Sequence, residues 1–242
     1  MPPCTAGKSP LPNKCHRRSH HWRIILKDMQ RYFAIEMSAV RFVRNTLVFS
    51  LLALIPPLMA FVALTPGFGA LLAGGGPPLG RFMRQVITNG LPVVFVINYV
   101  SFFLFAWIVA KPGQRYGIIP VLLVDMPVRV IGFIALHAVI YVLSADWFGS
   151  FGGSRETALR VVAPTLARSI LFENISGVYL YATMVSALPL YVTAIENSDR
   201  LGRLARRLPG RLGYVLFAVL MFGFSVLALT AFATLIIWWQ AS

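Results

Sequence analysis

Long apolar runs, separated by short basic or glycine-rich stretches, dominate the chain from residue 46 onward. Crossing about 30 Å of hydrocarbon takes about 20 mainly apolar helical residues, because each backbone amide must find its partner inside its own segment. Five runs meet that length, at 46–64, 90–110, 128–148, 175–195 and 212–239. Pro56 and Pro57 fall in the middle of the first run and predict a kink there. Pro92 stands at the start of the second, where a first-turn proline is tolerated. The last run holds about 26 apolar residues, roughly 39 Å of helix, and must tilt or protrude. The pattern predicts an all-α fold: a polytopic transmembrane helical bundle of about five spans, with amphipathic interfacial helices.

Two further stretches are apolar but do not read as simple spans. Residues 117–126 are too short to cross and carry Pro120, which suits a re-entrant or interfacial piece. The third span is then expected to begin only after the Asp125-Met-Pro-Val-Arg129 interruption. On that reading Asp125 and Arg129, four residues apart, form an ion pair capping its start. Residues 155–172 set Leu159, Val162, Leu166 and Ile170 at helical spacing, as in an amphipathic helix lying on the bilayer. If either stretch crosses, it adds a sixth span.

The segment before the first run divides in two. Residues 1–21 are proline-rich, basic and unpatterned, and read as a disordered tail. Residues 22–45 read as an amphipathic basic helix along the cytoplasmic surface, leaving 46–242 as the transmembrane domain. Ile25, Met29, Tyr32 or Phe33, Met37 and Val40 recur at helical spacing among Arg23, Lys27, Arg31, Arg41 and Arg44. A second basic ridge carries Arg203, Arg206 and Arg207, interleaved with Leu201, Leu204 and Leu208. Both ridges are expected to dock anionic lipid headgroups or a partner.

Composition and charge narrow the class. Of 242 residues, 57% are hydrophobic and 12% charged, about half the charge of an average soluble domain. The formal net charge of +14 could by itself suggest nucleic acid, but no nucleic-acid module accompanies it. In a five-span arrangement, 17 of the 22 basic residues fall on one side and 5 on the other. The positive-inside rule then places the N-terminus in the cytoplasm and the C-terminus outside, in what we expect to be a bacterial inner membrane. Trp238 and Trp239 would anchor the outer interface. The first apolar run starts too late for a cleavable signal peptide.

Candidate chemistry is sparse. Cys4, Cys15, His16, His20 and His21 lack the paired ligand spacing of a structural zinc site, so no metal is expected. Inside the spans, Asn98 and Ser101 share a face, as do His137 and Tyr141; Ser176, Tyr179, Thr183 and Ser186 form a hydroxyl stripe on the fourth. Glu173 stands at that stripe's entrance. These residues either make interhelical contacts or line a polar cavity with Glu173 at its mouth. No cofactor is firmly implied, although a neutral imidazole such as His137 could ligate haem or chlorin. Esterase, metalloprotease and P-loop motifs are absent. The sequence therefore predicts a non-enzymatic integral membrane subunit, a structural, assembly or stabilising component of a larger inner-membrane complex. Its expected partners are membrane lipids and other membrane subunits, not nucleic acid. The alternatives are a small oligomeric channel or carrier using the fourth span, or a pigment- or haem-binding protein through His137.

Overall fold

The structure, a computed structural model, describes residues 32–109, 115–143, 164–209 and 212–241. Every regular element among these is helical: α1 (Ala39–Leu64), α2 (Phe68–Ala73), α3 (Gly76–Ile108), α4 (Ile118–Tyr141), α5 (164–170), α6 (Ile175–Ser186), α7 (Leu188–Asn197), α8 (Asp199–Ala205) and α9 (Leu212–Ala241). Five segments are long and apolar enough to cross a membrane, namely α1, α3, α4, α6 with α7, and α9. The chain is thus an all-α, multi-pass integral membrane protein. The tail 1–21, the residues Arg23, Lys27 and Arg31, and Ser144, Leu159 and Val162 lie outside the described residues.

Two span boundaries differ from the sequence reading, and for one reason. The second span does not begin at Gly90: α3 starts at Gly76 and runs through a π-helical turn at Val86–Gly90. The third does not begin at Val128: α4 starts at Ile118 and passes through a π turn at Val121–Asp125. In each case a proline, Pro92 or Pro127, stands two residues after the π turn. A proline ring clashes with the carbonyl four residues back, and widening the preceding turn moves that carbonyl away, so the helix continues where the sequence suggests a start. Residues 117–126 are therefore the first turns of the third span, not a re-entrant piece.

Two smaller corrections concern the flanking helices. The chain is not helical from Phe33 to Ser38; it turns there, and Phe33 tucks beneath the bundle, stacked on Phe102 at 4.0 Å. The expected helix over 22–45 is therefore interrupted before α1. In the described part of 155–172, α5 buries Leu166, Ala167, Ser169 and Ile170 against the bundle rather than lying on a lipid surface. A Cβ on Gly177 would strike the backbone oxygen of Ser169, so glycine is what lets α6 run against this segment.

The fourth span is the axis of the bundle, with 78% of its apolar window buried, whereas α9 has 11% of its window buried. Around that axis lie two apolar cores. One, at the end near Ala39, gathers Phe42, Phe102, Phe105, Tyr116, Leu190, Tyr191 and Ile195. Asn197 Nδ2 donates to Tyr116 O at 3.1 Å and ties α7 to the approach of α4 at this end. The other core gathers Leu54, Val94, Ile97, Phe133, Ile170, Val178 and Leu180. Between the two lies a layer of polar side chains.

Candidate functional site

The polar layer is centred on Arg129. At 1.5 Å per residue this arginine lies about 16 Å from the start of α4 and about 18 Å from its end, close to mid-span. It and Asp125 are fully buried. Their four-residue spacing puts them on one helix face, and the π turn that ends at Asp125 sets the carboxylate beside the guanidinium. Arg129 Nε donates to Asp125 Oδ2 at 2.7 Å and Nη2 to Oδ1 at 3.0 Å, a two-pronged contact. The remaining Asp125 lone pairs are not idle: Ser101 Oγ donates to Oδ1 at 2.7 Å.

The other side of the guanidinium faces α3 and α6. Nη1 has Thr183 O at 2.7 Å, Ser186 Oγ at 2.8 Å and Asn98 Oδ1 within hydrogen-bond reach. The Thr183 carbonyl is available because the helix tightens there. Ala187 N–H, which would serve Thr183 O in a regular α-helix, bonds to Met184 O instead, just ahead of Pro189. The proline that breaks the fourth span thus supplies an acceptor for the buried cation. The Ser186 hydroxyl, 2.7 Å from Asn98 Oδ1 and 2.6 Å from Thr183 O, directs its one proton to either. Asn98 Nδ2 in turn donates to Ser50 Oγ on α1 at 2.9 Å. The Phe102 ring lies 4.8 Å from the Arg129 guanidinium carbon and adds a cation–π contact.

Four of the five spans are therefore joined through one hydrogen-bonded layer: Ser50 on α1, Asn98 and Ser101 on α3, Asp125 and Arg129 on α4, and Thr183 and Ser186 on α6. Lipid tails are as apolar as leucine, so apolar contact alone gives membrane helices little net attraction, and interhelical polar bonds and close packing matter more. An unpaired charge at this depth would be costly; here the two charges face each other and each makes further hydrogen bonds. Arginine does not lose its proton in proteins, so the layer is suited to holding helices together rather than to relaying protons.

The structure brings together only part of the residues singled out in sequence. Asn98, Ser101, Thr183 and Ser186 meet in the layer. His137 does not: its Nδ1 lies 3.0 Å from Phe133 O of its own helix, and its ring packs between Phe133 and Tyr141. At 4% exposure it offers no open face to a haem or chlorin. Tyr141 Oη meets Ser176 Oγ at 3.4 Å in a separate contact between α4 and α6. Tyr179 packs against Gly90, where any Cβ would strike its ring, and among the described residues its buried hydroxyl has no hydrogen-bond partner. Glu173 is exposed and stands 3.9 Å from Arg168, away from the layer. Among the described residues, Glu173 and His137 have no hydrogen bond to Asn98.

Asp125 and Arg129 differ from the sequence expectation of an ion pair capping the start of the third span: they lie buried at mid-span. Ser50 carried no distinguishing pattern, and the Thr183 carbonyl cannot be seen in side-chain chemistry at all. Of the basic residues expected to dock lipid or partner, Arg41, Arg44, Arg203, Arg206 and Arg207 are exposed.

No protein-family model matches this chain, and neither does any curated protein or solved structure with which it was compared.

Proposed function

We propose that the protein is a non-enzymatic integral membrane subunit, a structural or stabilising component of a larger inner-membrane complex, with its basic end facing the cytoplasm. The observation that carries this reading is the contrast between a closed polar layer and α9, which packs one side on the bundle but has only 11% of its apolar window buried. The polar groups at mid-span are engaged in joining helices, which favours a scaffold over a carrier. Helix α9, by contrast, approaches the bundle backbone most closely at α7 and α8. Beyond that attachment it leaves a crevice of about 420 Å³, lined among others by Pro56, Pro57, Phe172, Phe222 and Val226. Its hydroxyls, Ser225, Thr230 and Thr234, donate to carbonyls of its own helix, and Ser225 and Thr230 also meet the Tyr191 and Tyr181 side chains of the fourth span. Leu220, Phe224 and Leu227 form an exposed stripe suited to packing against another span.

Solubilisation of native membranes in mild detergent tests this reading. The full chain is expected to co-purify with a membrane partner in fixed stoichiometry, and Leu220→Ala/Phe224→Ala/Leu227→Ala is expected to release that partner while the bundle stays folded. Purification of the chain alone, or a partner held equally by the triple variant, overturns it.

A further inference from the structure

The second polar concentration in the molecule lies at the bundle's end, on α8. This short helix is folded back on its neighbours: Gly202 and Ala205 are buried, and a Cβ on Gly202 would lie 3.0 Å from Ile195 O. A Cβ on Gly213, at the start of α9, would strike Ala205 O. With that inner face fixed, Arg200, Arg203, Leu204 and Arg207 are left outermost, and they surround a crevice of about 340 Å³. Asp199 and Glu196 are the nearest acids in the chain. Neither pairs with these arginines; Arg203 Nε donates to the backbone oxygen of Asp199 at 3.0 Å instead. Among the described residues, the three guanidiniums have no carboxylate partner.

Charge and position together select an occupant. Three unneutralised guanidiniums around one crevice call for an anion with several acceptor oxygens, and a phosphodiester matches their planar donor geometry. Leu204 and Leu208 are exposed beside them, which a freely dissolved anion would leave in water. The helix also joins the ends of two spans, α7 and α9, so it stands at headgroup depth. We infer that α8 is a binding site for the phosphodiester headgroup of an anionic phospholipid, with Leu204 against its glycerol and upper acyl chain. This inference is independent of the subunit reading above.

The test uses the purified full chain in mild detergent, titrated with phosphatidylglycerol or with phosphatidylcholine of the same acyl chains, and bound lipid is counted by native mass spectrometry. A basic residue near an anionic surface is worth about a fivefold change in binding. Phosphatidylglycerol should therefore bind at least tenfold more tightly than phosphatidylcholine, and Arg200→Gln/Arg203→Gln/Arg207→Gln should abolish the difference. Each single Arg→Gln substitution should weaken phosphatidylglycerol about fivefold, which secures the test if the triple variant misfolds. Arg81→Gln/Arg84→Gln, in the first turns of α3, should keep the preference. The inference is overturned if the triple variant retains it, if the two lipids bind wild type equally, or if inorganic phosphate or polyglutamate at matched concentration displaces the lipid.

Discussion

The chain contains the same four-residue spacing of aspartate and arginine twice, and the two copies behave differently. In α4, Asp125 and Arg129 meet side chain to side chain at 2.7 Å, with both side chains fully buried. In α8, the Asp199 carboxylate is left aside, and Arg203 turns to the Asp199 backbone oxygen. Spacing makes both pairs possible, since residues four apart share a helix face. Environment decides between them. At the rim, water solvates both charges and an ion pair gains little over solvation. At mid-span no water competes, the attraction is much stronger, and leaving either partner unpaired is prohibitive. One pair is obliged to close on itself, while the other leaves its arginine free to bind something else.

The largest expected effect comes from removing one partner of the inner pair. Arg129→Leu strands the Asp125 charge and takes a donor from Asn98, Thr183 O and Ser186, whereas Asp125→Ala strands the Arg129 charge and the Ser101 hydroxyl, each at a cost of about 3–5 kcal/mol. Heating the detergent-solubilised protein and measuring the folded fraction by size-exclusion should show little folded material for either variant. Asp125→Leu/Arg129→Leu should be more stable than either single variant, because no charge remains unpaired. At the rim, Asp199→Ala should change stability by under about 0.5 kcal/mol. If Arg129→Leu melts like wild type, the layer is not what holds the helices.

Asn98→Leu comes next. It keeps the volume roughly but removes the Ser50 contact on α1 and one acceptor of the guanidinium. A buried group left unsatisfied costs about 1–3 kcal/mol. The loss should be specific to α1, so a cross-link between cysteines placed on α1 and α3 should form more slowly in Asn98→Leu than in wild type. Equal rates would show that Asn98 does not tie the two helices.

How much of this could be read in sequence follows from the same physics. The class was legible, because five apolar runs need only counting; so were Asn98, Ser101, Thr183 and Ser186, as polar residues on apolar faces. The depth of Asp125 and Arg129 was not. Pro92 looks like a first-turn proline and the charged Asp125–Arg129 stretch looks like a break before a span, which sets the charged pair at the membrane edge instead of mid-span. What corrects the boundary is the π turn two residues before Pro92 and Pro127, and a backbone hydrogen-bond shift of that kind has no side-chain signature. The availability of Thr183 O is hidden in the same way, since it follows from where Ala187 N–H bonds. Ser50 is one hydroxyl among many, and only its distance to Asn98 distinguishes it.

Ser186→Ala tests the finer grain of the layer. The guanidinium keeps Thr183 O and Asn98 Oδ1, so the substitution removes one acceptor among several. A single interhelical hydrogen bond of this kind is worth about 0.6 kcal/mol on average. The expected outcome is a small but measurable fall in melting temperature, well short of that in Asn98→Leu. A loss as large as that of Arg129→Leu would mean that the layer has no redundancy.

The smallest effect is expected at His137, the residue on α4 that most resembles a functional histidine. It is as well buried as the layer, two turns beyond Arg129, yet its hydrogen-bonding contact is to the carbonyl of Phe133 in its own helix. A bond within one helix joins nothing to anything else, and Phe133 O keeps its helical amide when the imidazole is removed. Phenylalanine fits the same slot between Phe133 and Tyr141 with an extra carbon's worth of volume, so His137→Phe should cost under about 1.5 kcal/mol. A loss of 3 kcal/mol or more would place His137 in a cross-helix network and remove the distinction drawn between it and Arg129.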